Sequence, residues 1–266
     1  MPVLDAAADR PERVALVTGA GSPTGIGVAC ARALAETGAA VVLAATTDRV
    51  HDRVAELTAA GWPAAGVVGD LTDERVAEAV VGQARQQWGR LDVVVNNAGM
   101  VSASDPDYQS GTLDRVPVST WHASLRRNLD TAFLVTRAAL PALRAADSGR
   151  VVMVASVTGA VMAMRGEVPY AAAKAGLVGL TRALAVDLAA DGITVNAVAP
   201  GWIATGSQTA AEALEGRSTP LGRSGTPQEV ASAVCWLASP GAGYVTGQLL
   251  VVDGGASVAE ERVTGG

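Results

Sequence analysis

The sequence predicts a single α/β domain: a doubly wound parallel sheet of about seven strands with helices on both faces. Three observations carry this expectation. Short Val-rich runs recur along the 266 residues without polar alternation, as strands buried on both faces do. Amphipathic stretches of helical period separate them, and strand–helix–strand order implies parallel pairing through right-handed crossovers. A glycine-rich turn follows the first run and opens the first helical stretch, where this architecture binds anions.

The elements follow in order. The first strand is expected at 14–17 and the first helix at 26–37, stopping at Gly38. Strand 40–45 leads to a helix over 49–60 that ends at Gly61, and a weaker run at 64–68 supplies a third strand. Asp73 opens the helix 74–88, and Gly89 closes it. Strand 93–95 precedes a polar stretch, 100–119, and a long helix, 120–146. Strand 151–155, helix 170–190 with Gly192 at its end, and strand 193–198 come next. The segment 203–226, rich in Thr, Gly, Ser and Ala, leads to a helix over 227–238 with Pro227 at its first position, and strand 249–252 closes the sheet. Residues 1–12 read as an N-terminal arm and 256–266 as a tail. Segments 100–119 and 203–226 both follow strands at the carboxyl edge, so both read as lids over a substrate site.

Hydrophobic residues make up 49% of the chain, ample for one core, yet every apolar run is short, which excludes a membrane-spanning helix. The first 14 residues hold two Asp, one Glu and two Pro, so no secretory leader is expected and the setting is cytoplasmic. A formal net charge of −6 offers no basic footprint for nucleic acid. Two cysteines, Cys30 and Cys235, and two histidines, His51 and His122, are too few for a disulfide framework or a metal centre; no metal is expected.

In the run 18–27, Gly19, Gly25 and Gly27 let the backbone turn tightly beside Ser22 and approach a pyrophosphate, while the helix starting at Ile26 offers free N–H groups. The alternative is a plain tight turn. Roughly 20 residues further on, the position that reads the ribose falls at Ala45. A carboxylate there would bind the 2′-hydroxyl of NAD. Ala45 leaves room for a 2′-phosphate, to which Thr46 and Thr47 can donate and with which Arg49 can pair. NADP is favoured; NAD is the alternative, because Asp48 can turn inward. Tyr170 and Lys174 lie four apart on one helical face, and Lys174 is the one lysine among 20 Lys and Arg. A cation beside a phenol, whose reference pKa is about 10, favours phenolate and brings proton exchange toward neutral pH.

Residues 18–27, Asp70-Leu71, Asn96-Asn97-Ala98-Gly99, Asn128, Ser156, Tyr170-x-x-x-Lys174 and Pro200-Gly201 together resemble the short-chain dehydrogenase/reductase family in its single-domain branch. The resemblance covers about residues 13–255, and within the family the chain is most similar to 3-oxoacyl-thioester and ketone reductases. It implies a Rossmann-like fold and a role for each residue. Tyr170 would be the general acid for ketone reduction, and Lys174 would lower its pKa and bond the nicotinamide ribose. Ser156 would hydrogen-bond the carbonyl oxygen, and Asn128 would hold a water that passes protons to Lys174. Asn97, Ala98 and Gly99 would line the adenosine side while Asn96 braces the sheet. Asp70 and Leu71 would meet the adenine, unless Asp70 only caps a helix. Pro200, Gly201, Ile203 and Thr205 would hold the carboxamide end. One departure stands out: five residues separate Gly19 from Gly25 where the family pattern has three, so Pro23-Thr24 reads as an insertion.

The implied function is hydride transfer between NADPH and a moderately apolar ketone, giving a secondary alcohol. The alternatives are an NAD-dependent alcohol dehydrogenase of the same family and a nucleotide-sensing regulator without turnover. The enoyl-reductase branch spaces Tyr and Lys more widely. A hydrolase would need a Gly-x-Ser-x-Gly elbow, which is absent. The resemblance also implies a homo-oligomer, a tetramer or dimer.

Overall fold

The computed structural model describes residues 11–99 and 111–260. The strands are β1 (Val14–Thr18), β2 (Ala40–Ala45), β3 (Ala64–Val68), β4 (Val93–Asn96), β5 (Arg150–Val154), β6 (Thr194–Pro200) and β7 (Leu249–Val252). They form one parallel sheet in the order β3-β2-β1-β4-β5-β6-β7. Leu16 of β1 lies between Val42 and Val94 in register, so the centre of the sheet is sealed from both sides. Every residue of β1, β4, β5 and β6 is buried, which explains why these runs show no polar alternation.

Helices α1 (Ile26–Glu36), α2 (Arg49–Ala59) and α9 (Pro227–Ala238) pack on one face with Val17, Leu43 and Val95. Helices α3 (Glu74–Trp88), α5 (Thr131–Ala145) and α7 (Val168–Asp187) pack on the other with Leu16, Val42 and Met153. The strand order reverses between β1 and β4, which opens the crevice in which this architecture binds ligands. Among the described residues, no helix is long and apolar enough to cross a membrane.

Two elements differ from the sequence expectation. The segment 203–226 is not all loop: it carries α8 (Ala210–Arg217), started by a capping box in which Thr209 Oγ1 accepts from Glu212 N and Glu212 Oε2 accepts from Thr209 N. Only Gly216 of α8 is buried, so no apolar stripe announces the helix. The expected helix 120–146 starts earlier, as α4 (Val118–Leu125), and reaches α5 through a π-helical turn at Arg126–Asp130. Of the expected segment 100–119, residues 100–110 lie outside the described residues. Gly111 N then donates to Gly166 O at 3.0 Å, tying this segment to the start of α7.

Candidate active site

The reversal point is built from the ends of β1 and β4. Thr18 Oγ1 accepts from the backbone N–H groups of Asn97 (3.0 Å) and Ala98 (2.9 Å). Asn97 Nδ2 donates to the carbonyls of Thr18 (2.9 Å) and Gly19 (3.1 Å), so this side chain braces the glycine loop from below. Gly19 sits at φ +67°, and a Cβ there would meet Asn97 Nδ2 at 2.8 Å; one on Gly27 would meet Gly19 O at 2.5 Å. Both positions therefore require glycine, the first also by conformation. Among the described residues, no side chain caps α1 at Gly25, which leaves the first N–H groups of Ile26 and its neighbours open to an anion.

Beside this loop, a Cβ on Gly21 would meet Ala45 Cβ at 2.9 Å, so the loop reaches the end of β2. Thr46, Thr47 and Arg49 are exposed there, and Arg49 Nε donates to Thr47 Oγ1 at 3.2 Å. Gly69 N donates to Ala45 O, which brings Asp70 and the buried Leu71 to the same edge. Asp70 Oδ1 accepts from Thr72 N at 2.9 Å in a turn ahead of α3, whose cap is Asp73, so Asp70 does not take the helix-capping alternative weighed from sequence. These groups fit a dinucleotide: backbone donors without side-chain caps, glycines where a Cβ would fill the cradle, and hydroxyl and guanidinium groups at the ribose end.

On the other side, Ser156 follows β5, and its Oγ accepts from Thr158 N at 3.2 Å. Next comes the short irregular turn α6 (Val157–Ala160). There Gly159 lies so close to the carbonyl of Ala171 that any Cβ would collide with it. This tight joint sets α7 against the end of β5. Tyr170 and Lys174 project from α7 with Nζ 5.6 Å from the Tyr170 ring centroid. Lys174 is 2% exposed, and Nζ donates to Val154 O at 3.0 Å. Burial pulls its pKa down from 10.5 to about 8. Burial holds the Tyr170 phenol above its usual value; a hydrogen bond with Ser156 opposes this, and the charges of Glu167 and Glu212 add to it. The net displacement of the phenol is therefore upward, with burial its largest cause. The ammonium bonds the Val154 carbonyl rather than the phenolic oxygen, and desolvation outweighs the Ser156 bond. At neutral pH the phenol carries its proton.

Asn128 occupies the π turn and is 1% exposed. Its Nδ2 donates to Ser124 O at 3.1 Å, while its buried Oδ1 accepts no hydrogen bond among the described residues. Gly99, at φ +125°, packs on it: a Cβ there would sit 2.9 Å from Asn128 Oδ1. Asn96 turns the opposite way and donates to Thr136 Oγ1 at 2.8 Å, bracing β4 to α5. Pro200 ends β6; Gly201 N donates to Val252 O, and Ile203 pairs with Gly225. Thr205 Oγ1 shares a hydrogen bond with Ser207 Oγ at 3.0 Å. Sequence reasoning missed the Thr18 hydroxyl and the Val154 carbonyl. The first has a signal in the Thr-Gly pair that opens the loop; the second, a backbone group, has none.

A family profile described as Enoyl-(Acyl carrier protein) reductase matches residues 19–257. The chain is 42% identical over 248 residues to cis-4-hydroxycyclohexanecarboxylate dehydrogenase of Sinomonas cyclohexanicum, covering 92% of this chain and 96% of the relative. It is 38% identical over 247 residues to the 3-oxoacyl-(acyl-carrier-protein) reductase FabG of Vibrio cholerae, covering 91% and 96%. The chain belongs to the short-chain dehydrogenase/reductase family. The fold agrees: a variant of actinorhodin polyketide ketoreductase, solved with NADPH, matches at a TM-score of 0.83 with 35% identity, over 93% of this chain and 98% of that one. As a short-chain dehydrogenase/reductase, the protein is an oxidoreductase of CH–OH and ketone groups.

Proposed function

We propose that this protein is an NADPH-dependent carbonyl reductase of the 3-oxoacyl type, with Tyr170 as its general acid. The observation that carries the reading is the grouping of Ser156, Tyr170 and Lys174 at the end of β5, with the phenol held in its protonated form. That is the form a general acid needs for ketone reduction.

The backbone of Gly19, Ser22, Gly25, Ile26 and Gly27 would hold the pyrophosphate, and the apposed Gly21 and Ala45 leave no carboxylate against the ribose. Thr46, Thr47 and Arg49 would bind a 2′-phosphate, and Asp70, Leu71, Ala98 and Gly99 would flank the adenosine. Asn97 serves the cofactor indirectly, by holding the loop. Pro200, Gly201, Ile203 and Thr205 would line the nicotinamide end. When bound, the nicotinamide supplies the hydride. Ser156 orients the substrate carbonyl and stabilises its developing negative charge. Tyr170 gives its proton to that oxygen, and Lys174 keeps positive charge behind the phenolate that remains. The orphan Oδ1 of Asn128 offers a buried acceptor for a water on the proton route.

Exposed Val161 and Met164 follow Ser156 in the chain and suit an apolar ketone. Exposed Phe133 on α5 and Val186 on α7 support a homo-oligomer, a tetramer or dimer, and two free thiols accord with a reducing cytoplasm. Nicotinamide absorbance, followed with NADPH or NADH against a panel of 3-oxoacyl thioesters and simple ketones, tests the reading. NADPH-linked turnover is expected. Nucleotide binding without turnover across the panel would replace it with a sensor.

A further inference from the structure

We infer that Thr24 is a positioning residue that seats the substrate-side segment 203–212 on the glycine loop. The inference rests on the functional reading above, because it takes that loop to hold the nucleotide. Gly25 N donates to Ser22 O at 3.4 Å, closing a turn that carries Pro23 and Thr24 at an exposed tip. A Cβ built on Gly206 would fall on Thr24 Oγ1, and among the described residues, its chain neighbours aside, only Thr24 atoms lie within 4 Å of it. Gly206 is not among the glycines with positive φ, so its backbone conformation does not demand glycine. The space beside it is taken by the Thr24 hydroxyl, so a methyl group at 206 would oblige that side chain to turn out of its seat.

On either side of Gly206 the segment is fixed. Ile203 pairs with Gly225, and the Thr209–Glu212 capping box starts α8. One continuous piece of chain, from Ile203 through Gly206 to the start of α8, is therefore held at both ends and rests on the phosphate-side loop between them. Its seat is one of the two residues by which the Gly19–Gly25 spacing exceeds the family pattern. In this chain the longer loop therefore carries the residue that registers the substrate side against the cofactor side.

Four proteins test this: the parent, Thr24→Ala, Gly206→Ala and the double variant. With Thr24 present, Gly206→Ala overfills the joint and is expected to raise the substrate KM about tenfold while kcat changes little. NADPH-dependent protection of 203–212 from hydrogen exchange should weaken in parallel. In the Thr24→Ala background the same change should cost nothing further, because the colliding hydroxyl is gone. Equal penalties in both backgrounds, or none in either, would overturn the seat. Thermal midpoints of the four proteins without nucleotide separate this from the functional reading. A Gly206→Ala loss that Thr24→Ala cancels keeps the seat even if no ketone is reduced. Uncancelled losses remove it however active the enzyme is.

Discussion

Sealed from solvent and bonded to the Val154 carbonyl, Lys174 titrates near 8 instead of 10.5, and the sign of its effect on stability follows. Between about 8 and 10 the unfolded chain holds a proton that the folded chain has released. Lys174 therefore contributes a rise in stability with pH across that window, of at most roughly 1.4 kcal/mol per unit, while the thiols of Cys30 and Cys235, both pushed up by burial, oppose it once their unfolded counterparts ionise above about 8.5. Tyr170, raised above its usual 10, works the other way at higher pH: the folded phenol keeps its proton after the unfolded one loses it, so stability falls. Urea midpoints of the nucleotide-free parent and of Lys174→Met, compared from about pH 7 to 10, isolate the Lys174 contribution from that of the thiols and Tyr170. The variant's slope should be the lower of the two between about 8 and 10; equal slopes would assign the dependence to other groups. Tyr170→Phe should cut ketone reduction by about 10²-fold or more while NADPH affinity, read by fluorescence titration, stays near the parent value. Ala45→Asp should turn the NADPH/NADH preference toward NADH by setting a carboxylate against the 2′-phosphate; an unchanged ratio of kcat/KM values would place ribose recognition elsewhere. Both substitutions follow from residue types and spacing that were legible in the sequence. The direction of the Tyr170 shift was not, because desolvation depends on packing that no spacing of four residues encodes.

At the scale of elements, the sequence shows what periodicity can show. The strands were legible as unbroken Val-rich runs because both of their faces are covered. Helix α3 was legible from Asp73, whose carboxylate accepts from Arg75 N, and from Gly89, which ends it in the left-handed region. Helix α8 escaped because its exposed face carries the polar residues and almost nothing is buried beneath it. The π turn escaped because one widened turn leaves the apolar spacing of α4 and α5 nearly unchanged; only the buried Asn128 within it hints at a reason. Since α8 is held at its start by the Thr209–Glu212 box rather than by a core face, Thr209→Ala should cost it about 1 kcal/mol. The measurement is hydrogen exchange over 210–217, which should speed up there and leave α9, capped separately by Thr226 and Glu229, unchanged.

For the whole molecule, alternation of strands and helices was enough to predict a doubly wound sheet, and the order β3-β2-β1-β4-β5-β6-β7 places the reversal point beneath the glycine loop. A nucleotide bound there should stabilise the fold as a unit, by about 2.7 kcal/mol at a hundredfold excess over Kd. Thermal midpoints should rise more with NADPH than with NADH at equal concentration, and the reverse order would move the cofactor assignment to NAD. The contact between Gly99 and Asn128 has a consequence for shuffling this sequence with its relatives. The two residues share a space too small for any independent choice at either, although β4 and the π turn lie well apart in the chain. A recombination crossover between them, with a parent that departs from the family pattern at either residue, splices one parent's floor onto another's wall and should give mostly inactive hybrids, whereas a junction after α7, before β6, inherits the matched pair intact.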